Sequence, residues 1–84
     1  MSQLGEARPS YLDRVTVDPD ILVGKPVITG TRIPVSLVLN LLAHDSSFDR
    51  IIEAYPILTA DDIRAAIAYA GASLDREVVR ALAD

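Results

Sequence analysis

The sequence predicts a mainly α domain in which short β-strands or a hairpin precede three helices. Three observations predict it. From position 34 to position 82, apolar residues recur at helical spacing in three stripes, separated by cap residues and a proline. Ahead of them, Gly24-Lys25-Pro26-Val27-Ile28-Thr29-Gly30-Thr31-Arg32-Ile33-Pro34-Val35 sets two glycines and two prolines among short β-branched runs. The chain has 84 residues, the size of one domain. The expected organisation is a loose N-terminal arm over 1–10, a domain over 11–72 (β segment 11–33, helices 34–71) and an amphipathic helical extension over 73–84.

Leu12, Val15 and Val17 alternate within Tyr11–Val17, so Arg14-Val15-Thr16-Val17 reads as a strand. Asp18-Pro19-Asp20 is a turn, because proline fixes φ and aspartate side chains bond nearby amides. Ile21–Val23 is a short apolar hook. Thr29-Gly30-Thr31 reads as a tight bend between Val27-Ile28 and Arg32-Ile33.

Pro34 suits the first turn of a helix, where its missing N–H costs nothing. Val35–Ala43 is apolar almost all round, which predicts a central helix near 34–44. Ser46 or Ser47 caps a second helix near 47–55, with Phe48, Ile51, Ile52 and Tyr55 on one face. Pro56 ends it. Thr59-Ala60-Asp61-Asp62 resembles a capping box and opens a third helix near 60–71. Ile63, Ala66, Ile67, Ala70 and Leu74 form its apolar stripe, and Val78 and Leu82 continue it. Gly71 is expected to fray or kink this helix before it resumes through Ser73–Leu82.

Composition narrows the function classes. No cysteine is present, which removes disulfides and thiolate metal sites and fits a cytoplasmic protein. The longest apolar-rich run, Ile33–Ala43, is too short to span a bilayer. Residues 1–34 balance their charges, whereas 35–84 set four arginines against eight acids and hold the whole net charge of −4. That half suits a basic protein partner better than a phosphate backbone.

Catalytic and metal signatures are absent from the sequence, and no cofactor is expected. His44, the single histidine, falls at a helix C-terminus and reads as a capping residue. Asp61 and Asp62 diverge by about 100° on a helix, so capping explains them better than metal binding. Lys25 precedes a proline, which removes phosphate-loop geometry; Gly24 and Gly30 read as turn residues. Ser47–Ala70 has the spacing of a helix-turn-helix, but its second helix starts with two acids and carries Arg64 as its one cation before Arg76.

The run Asp18-Pro19-Asp20-Ile21, the Gly24–Val35 core, and Tyr55-Pro56 with Leu58-Thr59 together resemble the domain-of-unknown-function family 433, over roughly residues 12–72. The resemblance implies a three-helix, homeodomain-like bundle behind a short β segment. It implies an antitoxin of VapB type in a type II toxin–antitoxin pair, binding a PIN-like ribonuclease toxin. The sequence departs from that family at two positions. Val23 stands where a first glycine is common, and Asp45 stands where glycine commonly separates the first two helices.

The leading expectation is therefore a non-enzymatic antitoxin that neutralises a ribonuclease and represses its own operon. Leu74, Asp75, Glu77, Val78 and Leu82 are its candidate partner contacts; Asp75, Glu77 and Asp84 suit a basic RNA-binding groove. Two alternatives stand beside it. One is a stand-alone DNA-binding regulator using Arg14, Lys25, Arg32 and Arg64. The other is a homo-oligomeric structural module. A homodimer is expected, with Arg14–Val17 or Val27–Ile33 pairing across subunits. Gly24, Gly30 and Asp45 are expected to hold turns.

Overall fold

The computed structural model describes residues 11–83, with side chains described through Asp75. The expected arm over 1–10 lies outside the described residues, as do the side chains of Glu77, Val78 and Leu82 and the whole of Asp84. The described chain is mainly helical, with a short antiparallel strand pair near its N-terminus. Its elements run α1 (Tyr11–Arg14), β1 (Val15–Thr16), a 3-10 turn (Leu22–Gly24), β2 (Val27–Ile28), α2 (Val35–Ala43), α3 (Phe48–Ala54) and α4 (Ala60–Ala83).

β1 and β2 pair antiparallel, Val15 with Ile28 and Thr16 with Val27. The Thr29 amide donates to the Arg14 carbonyl at 2.9 Å and extends the ladder by one step. On its other side Val27 bridges Pro34, and the Ile28 amide donates to the Ile33 carbonyl at 2.9 Å. Gly30, at φ +82°, makes the bend between these segments possible. Thr31 locks it: its hydroxyl donates to the Ile28 carbonyl and accepts from the Ile33 amide. Both edges of β2 are thus used within the chain, so the expected pairing of Val27–Ile33 across subunits has no open edge there.

Two further expectations are corrected. Tyr11–Arg14 is a helical turn, and the strand is confined to Val15–Thr16. Residues three apart share a helical face. Here that face sets the Tyr11 ring edge-on to Tyr69, 6.2 Å between centroids, and Arg14 against Asp62. These contacts outweigh the weak alternation. Gly71 also does not interrupt α4, which is one helix of 24 residues.

The caps follow local chemistry. Pro34 is the N-cap of α2, one residue ahead of its expected place. α2 ends in a Schellman motif: Asp45 adopts φ +68°, its amide donates to Leu42 and the Ser46 amide donates to Leu41. The Ser47 hydroxyl accepts from the Arg50 amide at 3.1 Å and starts α3. Thr59 and Asp62 form the reciprocal box that starts α4.

The core lies where β2, α2, α3 and the first half of α4 meet. Ile28, Val38, Ile51, Leu58, Ile63 and Ala66 are buried there, and Tyr55, Phe48 and Ile52 pack around them. Full burial of a side chain such as Ile51 stabilises the fold by about 1.5–3 kcal/mol. The predicted α4 stripe holds for Ile63 and Ala66, but Ile67 and Leu74 are exposed. The core takes Ala65 in their place, with Tyr69 packed against its margin. No described helix is long and apolar enough to cross a membrane.

Candidate partner-binding face

Asp18 begins the most unusual segment of the chain. Its carboxylate accepts from the Asp20 amide at 2.8 Å, and its carbonyl accepts from the Ile21 amide at 2.9 Å. The chain then winds left-handed through three residues in a row: Leu22 (φ +48°), Val23 (φ +56°) and Gly24 (φ +82°). The Gly24 amide donates to the Ile21 carbonyl and the Lys25 amide to the Leu22 carbonyl, and these two hydrogen bonds close the hook. Gly24 takes this conformation freely. For L-residues with a Cβ it costs roughly 1–2 kcal/mol each, and a β-branched residue is the hardest to place there.

Val23 gains no compensating burial, because it is 94% exposed. The hook leads directly into an open apolar groove of about 510 Å³, walled by Pro26, Val35, Leu39 and Tyr69 with Leu74 at its margin. Lys25 is the one charged residue lining it. Among the described residues Lys25 has no ion-pair partner. A strained exposed valine thus stands two residues ahead of an unpaired cation that lines an apolar groove.

The structure distributes the candidate nucleic-acid contacts differently. Arg14 Nη1 donates to Asp62 Oδ1 at 3.0 Å, and Arg14 Nη2 lies 3.7 Å from Asp61. Arg64 donates to Asp61 at 2.9 Å and lies over the Phe48 ring, 5.6 Å from its centroid. Arg14 and Arg64 thus converge on Asp61, where acids balance them. Lys25 is on the groove, and Arg32 follows the Gly30 bend without an ion pair to any described residue. A polar depression of about 430 Å³ lies beside the Arg14–Asp62 pair, lined also by Asp13 and Thr29.

Of the candidate partner contacts, Leu74 and Asp75 are exposed on α4. Gly24, Gly30 and Asp45 occupy the left-handed turns expected of them. His44 Nδ1–H donates to the Asn40 carbonyl at 2.7 Å, a bond inside the last turn of α2. Among the described residues no group of three potential ligands is placed to hold a metal ion. The residue that sequence reasoning missed is Val23. Its one signal was its place where the related pattern carries glycine.

The comparisons with known proteins agree with this architecture. The crystal structure of a DUF433 member protein from Anabaena variabilis superposes with a TM-score of 0.66, covering 92% of this chain and 90% of that one at 23% identity, so the two share a fold. An uncharacterized protein of Sinorhizobium fredii, y4eO, is 49% identical over 59 residues, which are 70% of this chain and 27% of that protein. The chain thus spans little more than a quarter of that relative. The family model described as "Protein of unknown function (DUF433)" matches residues 15–70, from β1 through the middle of α4, and the chain belongs to that family.

Proposed function

We propose that this chain is a cytoplasmic, non-catalytic antitoxin of VapB type, with α2, α3 and α4 as its homeodomain-like trio, that neutralises a PIN-like ribonuclease. The Gly24–Val35 run, which resembles such antitoxins, supports the class of function. The observation that carries the reading is Val23, held left-handed and 94% exposed two residues ahead of Lys25, which lines an apolar groove. Backbone strain without burial stabilises nothing in the free chain, and strain of this kind collects at binding sites. An exposed apolar knob beside a groove is the form of a protein contact. The toxin surface that fits is apolar and brings a carboxylate to Lys25.

Operator binding through α4 has less support. Its first turn carries Asp61 and Asp62, and the charge of Arg64 is spent on Asp61.

The test is co-expression with a PIN-like ribonuclease encoded by a neighbouring gene. The two proteins are expected to co-purify, and RNA cleavage is expected to stop. Val23→Asp and Leu39→Asp are expected to release the ribonuclease while the chain keeps its helical circular dichroism. Unchanged cleavage in the presence of the intact chain would falsify the antitoxin reading.

A further inference from the structure

We infer that the groove between α2 and α4 takes an amphipathic helix of the ribonuclease, with apolar side chains one turn apart on its buried face and a carboxylate at the end that meets Lys25. The inference rests on the toxin reading and names the element of the toxin that docks.

Both walls of the groove are helical. Val35 and Leu39 stand on α2, and Tyr69 and Ser73 on α4, each pair four positions apart. Four residues rise about 6 Å, so the apolar stretch accommodates about one turn of a docked helix. The groove is open on its outer side. Small-molecule sites instead enclose roughly 70–90% of the ligand's surface. An open trough shields one face of its occupant, which suits the apolar stripe of a protein helix.

Backbone chemistry argues against an extended segment. A strand or loop laid here would bury amides and carbonyls that need partners. The walls offer no backbone edge, because the two helices use their amides and carbonyls in their own ladders. The segment that closes the groove offers none either. The Lys25 amide donates to the Leu22 carbonyl, Pro26 has no amide, and the Pro26 carbonyl accepts from the Val35 amide at 2.9 Å. The polar side chains on the lining, those of Lys25, Ser36, Tyr69 and Ser73, are scattered points and form no ladder. A helix arrives with its backbone bonds already made, apart from its ends.

Charge complementarity narrows the occupant further. Residues 35–84 hold the chain's net negative charge, yet no acid lines the groove. Lys25 is its one charged group and has no ion-pair partner among the described residues. The Pro26–Val35 hydrogen bond puts Lys25 at the end of the groove where α2 begins. The docked helix therefore carries its acid at that end, about one turn from its apolar side chains.

Methyl NMR on the full chain bound to the ribonuclease tests the inference. The Leu39 and Leu74 methyl signals are expected to shift and to show contacts to residues one turn apart on one helix of the ribonuclease. Lys25→Glu, at an exposed position, is expected to weaken neutralisation about tenfold with an unchanged circular dichroism spectrum. Reversal of the acid on the contacted helix to lysine is expected to restore it. A chain that neutralises the ribonuclease through methyl contacts elsewhere, or through contacts to an extended segment, overturns this inference and leaves the toxin reading standing. So does a Lys25→Glu variant that neutralises as well as the parent. A chain that forms no complex with the ribonuclease removes the toxin reading, and this inference with it.

Discussion

Arg14 and Asp62 tie the first described helical turn to the start of the last helix, Nη1 donating to Oδ1 at 3.0 Å across 48 residues. The second oxygen of Asp62 is already engaged, accepting from the Thr59 amide at 3.0 Å. One carboxylate therefore caps α4 and holds α1 against it. Its side chain is 12% exposed, so loss of either partner leaves polar groups poorly compensated.

Asp62→Ala is accordingly expected to lower stability by about 2 kcal/mol, a cap and a charge-assisted bond together. Arg14→Ala removes one of the two and is expected to cost about 1 kcal/mol, since the arginine is partly exposed. Urea midpoints measure both. An Arg14→Ala loss equal to that of Asp62→Ala would mean that the cap contributes nothing. If Arg14 instead serves a phosphate backbone, its removal would leave the midpoint unmoved.

Asp45→Gly is expected to stabilise the chain by roughly 0.5–1 kcal/mol. Asp45 sits at φ +68° in the Schellman motif that ends α2, and glycine enters that conformation without the Cβ penalty. A thermal midpoint that rises without a change in helix content is the expected readout. A fall would show that the carboxylate does something at the turn beyond occupying it.

Gly30→Ala is expected to act in the opposite direction, by about 1–2 kcal/mol. There is open space around its Cβ position, so the loss arises from φ +82° alone and not from a clash. Thermal melting separates it from Gly30→Asn, which tolerates the left-handed region better and is expected to lose less. Equal losses for the two would point to crowding instead.

What was legible in the sequence was what local chemistry decides. Ser47, Thr59, Asp62 and Pro56 mark helix ends because caps and prolines act within a few residues of themselves. The Phe48–Ile51–Ile52–Tyr55 face was equally readable, since a short amphipathic helix must bury its one apolar side. Tyr11–Arg14 was not readable, because its helical turn depends on Tyr69 and Asp62, far along the chain. Ile67 and Leu74 share periodicity with Ile63, but periodicity cannot say where the neighbouring elements end. The charge of Arg14 looked free in the sequence for the same reason, because Asp61 and Asp62 meet it only once α1 folds back on α4. Arg64 pairs with Asp61 three residues before it on the same helix, a local contact that helix spacing makes readable. At the candidate site, Lys25 was visible as a motif residue, whereas the groove beside it exists only when α2 and α4 come together.

Val23→Gly separates stability from binding at the hook. The left-handed valine costs the folded chain roughly 1–2 kcal/mol, while glycine gives back about 0.5–1 kcal/mol through the greater freedom of the unfolded state. The net expectation is a chain more stable by several tenths of a kcal/mol to about 1 kcal/mol. The same change removes an exposed isopropyl group from the hook that precedes the groove. If that group is buried by the ribonuclease, neutralisation is expected to weaken by about tenfold, the equivalent of about 1.5 kcal/mol of lost apolar burial. Stability and affinity then move in opposite directions, which a merely structural valine cannot produce. Titration of RNA cleavage against each variant, beside thermal melts of the free chains, reads both. A Val23→Gly chain that is more stable and neutralises as well as the parent would remove Val23 from the contact; one that is less stable would mean that the hook is not strained.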